Sequence, residues 1–322
     1  MDIFFLTLNQ MLLMFTFILI GFLLRKTKIL PENAYVTMSR LETYIFLPAL
    51  NLFNQMTKCN VETFLNNSVL ILYGTVIVIA AVVLAYPLSR LFVPDFRKSP
   101  QAAYQRNIYK YALTFGNYGY MGNFIILGVW GSDMFYKYSM FNFIVGIICS
   151  GWGLYTLIPK EQGAGIIKNV LKGILAPPLL ALILGVIAGL VGVRQYVPDF
   201  LITAMENAGN CMGPVAMVLA GVVIGGYEFK SLFKIKKVYI VTVLRLIVIP
   251  AVIVSILKLI GTSDEIVALA LIAFATPLGM NTIVYPAAYG GDTKTGAAMT
   301  MISHTLSVIT IPVMYLIFVV LL

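Results

Sequence analysis

Two short stretches, F-G-N-Y-G-Y-M-G at 115–122 and A-T-P-L-G-M-N at 275–281, decide how the chain is read. Each falls near the middle of a long apolar run, where an unbroken helix would be expected. The first places Gly116, Gly119 and Gly122 within one helical stretch. Each costs a helix about 0.8–1 kcal/mol relative to alanine. The second holds Pro277, which removes a backbone donor and clashes with the preceding turn. Unwound backbone at membrane depth is tolerated only where protein or a water-filled cavity covers it. The breaks at Asn117–Gly122 and Thr276–Asn281 therefore predict two interrupted helices facing each other across a polar site.

The composition says what surrounds that site. Of 322 residues, 60% are hydrophobic and 11% charged, against about a quarter charged in ordinary soluble domains. A soluble fold could not hide so much apolar surface. Apolar runs of about 18–25 residues fit helices crossing a hydrocarbon core, and are about twice the length of barrel strands. The net charge of +9 sits in short loops and forms no basic face with interleaved aromatics, so nucleic acid is not an expected partner. Cys59, Cys149 and Cys211 are far apart and show neither metal-ligand spacing nor an obvious disulfide pairing. The first apolar run, preceded by Asp2 rather than basic residues, reads as a retained helix and not a cleaved signal.

Counting runs between polar breaks predicts ten membrane spans, near 4–24, 35–56, 67–92, 108–130, 134–158, 169–192, 199–225, 236–260, 264–289 and 293–321. One set of loops holds Arg25, Lys26, Lys28, Arg90, Arg97, Lys98, Arg106, Lys110, Lys160, Lys168, Lys172, Lys230, Lys234, Lys236, Lys237 and Lys294. The opposite set holds only Lys58, Lys137, Arg194 and Lys258. That bias assigns the first set to the cytoplasm and both termini to the outside of the cell membrane.

The two halves echo each other. Asn117 precedes Asp133, and Thr276 precedes Asp292, by the same 16 residues. Prolines recur in matching places, Pro31 and Pro48 in one half, Pro198 and Pro214 in the other. The chain is thus expected to comprise a five-helix repeat over 1–158, a cytoplasmic linker at 159–168, and a second repeat over 169–322. Five is odd, so the second repeat enters the membrane inverted, as in many secondary transporters.

With L-x-x-Y-I-F-L-P-A-L at 41–50, F-G-N-Y-G-Y-M-G at 115–122 and P-L-G-M-N…Y-G-G-D…I-T-I-P across 277–312, the chain resembles the auxin efflux carrier family. That family includes bacterial malate and malonate permeases and, more distantly, plant auxin carriers. The resemblance implies a fold shared with bile acid–sodium symporters. There, helices 1, 2, 6 and 7 form a scaffold, helices 3–5 and 8–10 a transport domain, and helices 4 and 9 cross beside the substrate. It also implies elevator-like movement and a homodimer. Asn117 and Pro277 match crossover positions, whereas Tyr118 and Asn123 stand where relatives often carry prolines in helix 4.

Helix fragments that begin at a break present free N–H groups and the positive end of a dipole, which suit an anion. Asn117, Asn123, Thr276, Asn281 and Thr282 add uncharged donors. The expected substrate site comprises these five with Tyr118, Gly119, Gly122, Pro277 and Gly279, and its expected ligand is a small carboxylate. Four ionisable residues within spans are candidates for charge or proton coupling: Arg245, His304, Glu42 and Glu206. Arg245 is expected to pair with Glu42 or Glu206, or to meet the substrate. Asp133 and Asp292 are expected to cap helices 5 and 10. No cofactor or metal is expected, and the coupling ion is a proton or sodium. An enzyme is disfavoured, because H-E-x-x-H and G-x-S-x-G are absent and a single histidine cannot readily build a triad or a metal site. An exporter of aromatic weak acids and an ion channel remain as alternatives.

Overall fold

Apolar runs of this length satisfy their backbone internally as helices, because lipid offers no hydrogen-bond partner. A computed structural model describes residues 2–159, 175–228, 232–288 and 291–321. All but Pro159 of the expected linker lies outside them, as do Lys160, Lys168, Lys172 and Lys230.

The first half runs through α1 (Asp2–Lys26), α2 (Ala34–Leu41), α3 (Leu47–Lys58), α4 (Val61–Phe92), α5 (Pro100–Thr114), α6 (Asn123–Phe141), α7 (Phe143–Ile148) and α8 (Leu154–Leu157). The second runs through α9 (Pro177–Val191), α10 (Asp199–Gly225), α11 (Lys236–Val243), α12 (Ile249–Leu259), α13 (Asp264–Ala275), α14 (Asn281–Ala288) and α15 (Lys294–Tyr315). Local chemistry sets several starts. Asn60 and Thr63 form a reciprocal capping box ahead of α4, and Ser99 accepts from the Ala102 amide ahead of α5, with Pro100 in the first turn.

Among the described residues, five helices are long and apolar enough to cross a membrane: Phe4–Lys26, Val61–Phe92, Asp199–Gly225, Lys236–Leu259 and Lys294–Leu321. A sixth arises if Tyr118–Phe141 and Phe143–Leu157, bent by 55°, count as one span. The remaining expected spans are shorter or interrupted, for visible reasons. α2, α3 and the turn between them carry Arg40, Glu42, Asn51, Asn54 and Gln55, while α5 and α13 stop, and α14 starts, at the breaks themselves. α6 is kinked at Gly131, whose φ of 78° is a backbone conformation glycine takes without strain. The kink falls between the expected helices 4 and 5. The molecule is thus an all-helical, multi-pass membrane protein.

Glycines let its backbones approach closely, the usual device where lipid gives helices no hydrophobic reason to associate. At Gly221 of α10 a Cβ would lie 1.9 Å from the Ile18 carbonyl oxygen of α1, and at Gly21 of α1 2.0 Å from the Val218 oxygen. α9 meets α3 in the same way, with Gly185 against Gln55 and Gly189 against Cys59. α10 also packs on α3, so α1, α2, α3, α9 and α10 adjoin one another. α4 turns Leu65, Leu72, Val76, Ile79 and Val83 outward.

Single-turn π segments interrupt several helices. They join α2 to α3 (Glu42–Phe46), precede α6 (Tyr118–Gly122), join α7 to α8 (Cys149–Gly153) and join α11 to α12 (Leu244–Val248). All four border the place where the two broken helices meet. A π turn widens the helix and frees a carbonyl, and such turns gather at functional sites.

Candidate functional site

Both predicted breaks form, and they touch. α5 ends at Thr114 and α13 at Ala275, and the two unwound strands cross as an isolated antiparallel bridge between Gly116 and Leu278. The Asn117 amide donates to the Pro277 carbonyl at 2.7 Å. The Leu278 amide donates to the Ser303 hydroxyl of α15 at 3.0 Å. Gly116 is required there, since a Cβ would lie 2.5 Å from Thr276 Oγ1 and 2.8 Å from Arg245 Nη2. The first break is displaced from its expected place. The chain unwinds over 115–117 and already turns helically from Tyr118, because the bridge needs extended backbone only at Gly116. It forms without a proline.

Beside the crossing lies a cavity of about 210 Å³. The helical segments that restart at Tyr118 and at Asn281 both begin in its wall, which includes Tyr118, Gly119, Tyr120, Gly279, Met280 and Asn281. The first amides of a helix have no preceding turn to bond to. The two helix ends share one space, and at the second the Thr282 and Ile283 amides already donate to the Gly279 and Met280 carbonyls. The opposing wall comes from α3 and α9 and the segments before them, with Asn51, Leu47, Thr43, Leu179 and Leu182.

Of the ten expected substrate residues, Asn117, Tyr118, Gly119, Asn123, Gly279 and Asn281 line this cavity. Gly122, Thr276, Pro277 and Thr282 are not among its lining residues. Thr276 and Thr282 are fully buried and donate to their own backbone, at the Ala273 and Gly279 carbonyls. A hydroxyl near a loosened turn finds that local acceptor first. Gly122 is pressed against the Tyr138 hydroxyl. Sequence reasoning missed Thr43, Asn51, Tyr120, Ser139, Asn142 and Ser150 in the lining. Their signal was a polar group inside an apolar run. Tyr111 was also missed as a partner: its hydroxyl accepts from Asn281 Nδ2 at 2.8 Å and contacts Cys149 Sγ.

His304 stands behind the crossing on α15 and is almost wholly buried. Its Nδ1 lies 2.8 Å from the Thr300 carbonyl, and its Nε2 lies 3.3 Å from Asn117 Nδ2. A carbonyl only accepts and an amide nitrogen only donates. The partners therefore assign the neutral ring with its proton on Nδ1, and Nε2 accepts from Asn117.

Among the described residues, Arg245 is the largest fully buried side chain, 1% exposed. It donates to the Thr114 carbonyl at 3.3 Å and lies over the Phe274 ring, while Nε has no partner. Neither expected ion pair forms. Glu206 faces outward on α10, and Glu42 is buried with no hydrogen-bond partner for either oxygen. The reason is position: Arg245 lies against Gly116 on the side of α5 and α13, whereas Glu42 sits on the π turn before α3, beside Thr43, the hydrogen-bond partner of Tyr120. Among the described residues, Arg245 makes no ion pair.

The two aspartates part ways. Asp292 accepts from the Lys294 amide and the Thr295 hydroxyl at the start of α15, as a capping residue does. Asp133, in the first turn after the break at Gly131, instead pairs with Lys58 of α3 at 2.6 Å. Among the described residues, no three His, Cys, Asp or Glu side chains gather as metal ligands would.

Crossed broken helices at a polar cavity inside an apolar bundle are a carrier's architecture. A profile described as membrane transport protein matches residues 6–315. The chain belongs to this family, the auxin efflux carrier family that its motifs resemble. It is also similar to an uncharacterized transporter of Methanocaldococcus jannaschii, 26% identical over 198 residues, a match spanning 61% of this chain and 63% of that relative.

Proposed function

We propose that this membrane transporter is a secondary active carrier, not an enzyme, of a small organic anion, a carboxylate such as malate or malonate. The observation that carries the reading is the shared cavity into which both restarted helices present their first turns. Moving a carboxylate out of water costs several kcal/mol after relaxation. Each helix end returns about 0.3–1 kcal/mol, and up to about 2 where partly buried. A guanidinium within about 8 Å returns roughly 2 kcal/mol more at an effective dielectric near 20. Arg245 lies behind Gly116, a residue of the wall with no side chain to hold it away. Carboxamides of Asn51, Asn117, Asn123 and Asn281 complete the site with N–H donors that carry no charge, one N–H of Asn51, Asn117 and Asn281 being already held within the protein.

In this reading the ten spans form a 5+5 inverted repeat. The scaffold is helices 1, 2, 6 and 7, and helices 3–5 and 8–10 move past it as an elevator. The carrier works as a homodimer in the cell membrane with both termini extracytoplasmic. A proton or sodium drives it.

The test is uptake of labelled malate, malonate and indole-3-acetate into proteoliposomes, with proton and sodium gradients imposed separately. Saturable uptake of malate or malonate that collapses with one gradient is expected, and that gradient names the coupling ion. Uptake of indole-3-acetate alone would point to an aromatic weak-acid carrier. Flux of ions that does not saturate would point to a channel, and either result overturns the proposal.

A further inference from the structure

A second, larger cavity lies away from the crossing. It measures about 620 Å³ and sits where the end of α4, the start of α5 and α8 come together. Four basic residues line it, Arg97, Lys98, Arg106 and Lys110, and no acidic residue is among its described lining. The nearest carboxylate in sequence, Asp95, is engaged by Lys98 at 2.9 Å. Arg97 and Arg106 make no ion pair among the described residues. Arg106 is only 9% exposed, yet its immediate charged neighbours are cations. Burial, and after it Arg90, push the Arg106 guanidinium below its ordinary value, and Arg97 adds a smaller push the same way. Clustering like charges around an open space is costly unless an anion fills it.

The surroundings say which anion. Tyr86 and Trp152 line the cavity and meet each other at 6.2 Å, an indole and a phenol of the kind that settles at the headgroup level of a bilayer. On the same helix as Tyr86, Val83, Leu84 and Leu91 are 56–72% exposed and face where acyl chains run. Ser99 and Pro100, which open α5, stand in the cavity wall, so the positive end of that helix dipole lies beside it. The positive loop set places this end of the molecule at the cytoplasmic leaflet, where anionic lipids concentrate.

We propose that this cavity binds the phosphate of an anionic phospholipid of the cytoplasmic leaflet, held by Arg97, Arg106 and Lys110, and that the bound lipid ties α4 to α5. Arg106 already fixes part of this junction by donating to Ser89 Oγ and the Tyr86 carbonyl. Arg97, exposed and resting over the Phe96 ring, reaches the headgroup by a change of rotamer. The site rests on the membrane orientation in the proposed function but not on any substrate.

Native mass spectrometry and thermal melting of the full chain test it. The detergent-purified protein is given mixed phosphatidylcholine and phosphatidylglycerol, phosphatidylcholine alone, or inorganic phosphate. Retained phosphatidylglycerol and a raised melting temperature are expected with the mixture and not with phosphatidylcholine. An Arg97→Gln/Lys110→Gln double variant should retain about tenfold less phosphatidylglycerol, as the loss of a charge-assisted bond implies. Arg106 is left in place because it holds α4 to α5. If inorganic phosphate stabilises the wild type as well as the lipid does, the ligand is a soluble phosphate and the lipid assignment is wrong. Equal retention of both lipids, or unchanged retention by a folded double variant, overturns the site. Failure of carboxylate uptake would leave this result standing, so the two readings fail separately.

Discussion

The two strands that cross at the centre reach the same shape by different means. In the second, Pro277 forbids the helix locally and the Leu278 amide, set free, turns to Ser303. In the first, no proline intervenes. There the helix stops because Gly116 is gripped by Thr276 and Arg245, and because the Asn117 side chain and amide are claimed by His304 and Pro277. The second break has a covalent cause with tertiary contacts behind it, whereas the first rests on tertiary contact alone. The first is therefore the fragile one, and substitutions should separate the two.

The largest effect is expected at Gly116. Gly116→Ala places a methyl where Thr276 and Arg245 already stand. Overpacking of about 3 kcal/mol converts to roughly a hundredfold loss of uptake. Uptake within tenfold of wild type would mean that the first crossing strand is not so tightly gripped.

Arg245→Gln comes next. It removes the positive charge behind Gly116 while keeping a hydrogen-bonding side chain. Affinity for a carboxylate should fall about 30-fold, the equivalent of roughly 2 kcal/mol, with Arg245→Lys recovering part of it. Competition by malonamide, the neutral analogue of malonate, should be unchanged. Equal losses for both ligands would make Arg245 purely structural.

His304→Gln tests the hold on Asn117. Losing one buried acceptor costs about 1 kcal/mol, or about fivefold in apparent affinity. Because the ring is assigned neutral with both nitrogens engaged, the pH profile of uptake should keep its shape. A displaced profile would return His304 to the proton pathway.

Pro277→Ala should do least. The bridge, the bond from Asn117 to the residue 277 carbonyl and the Ser303 contact all survive it, so uptake should stay within about threefold, a fraction of a kcal/mol. A loss as deep as that of Gly116→Ala would erase the distinction between the two strands.

That distinction also marks how far the sequence could be read. Glycine clustering at 115–122 and Pro277 announced the breaks, because both are local penalties. Six of the ten expected residues line the cavity because they lie beside those breaks. What escaped depends on contacts between distant positions: Asn117 with His304 across 187 residues, Asn281 with Tyr111 across 170, and Arg245 with Thr114 across 131. Depth along a helix suggested that Arg245 and Glu42 could meet. Which face each side chain occupies decided that they do not. Thr276 and Thr282 were misplaced for a related reason, since sequence shows a hydroxyl but not which neighbouring carbonyl takes it.

The central claim is that the anion occupies the cavity beside the crossing, and Gly119 offers direct access to it. A Cβ built there meets nothing within 4 Å. A chain carrying Gly119→Cys, with Cys59, Cys149 and Cys211 replaced, would be alkylated with a small thiol reagent in the presence and absence of malonate, malate or indole-3-acetate. Malonate or malate is expected to slow alkylation at least about fivefold, with a concentration dependence matching its uptake. Unchanged alkylation by an acid that the same variant transports would contradict the account, because the substrate would then be travelling by another route.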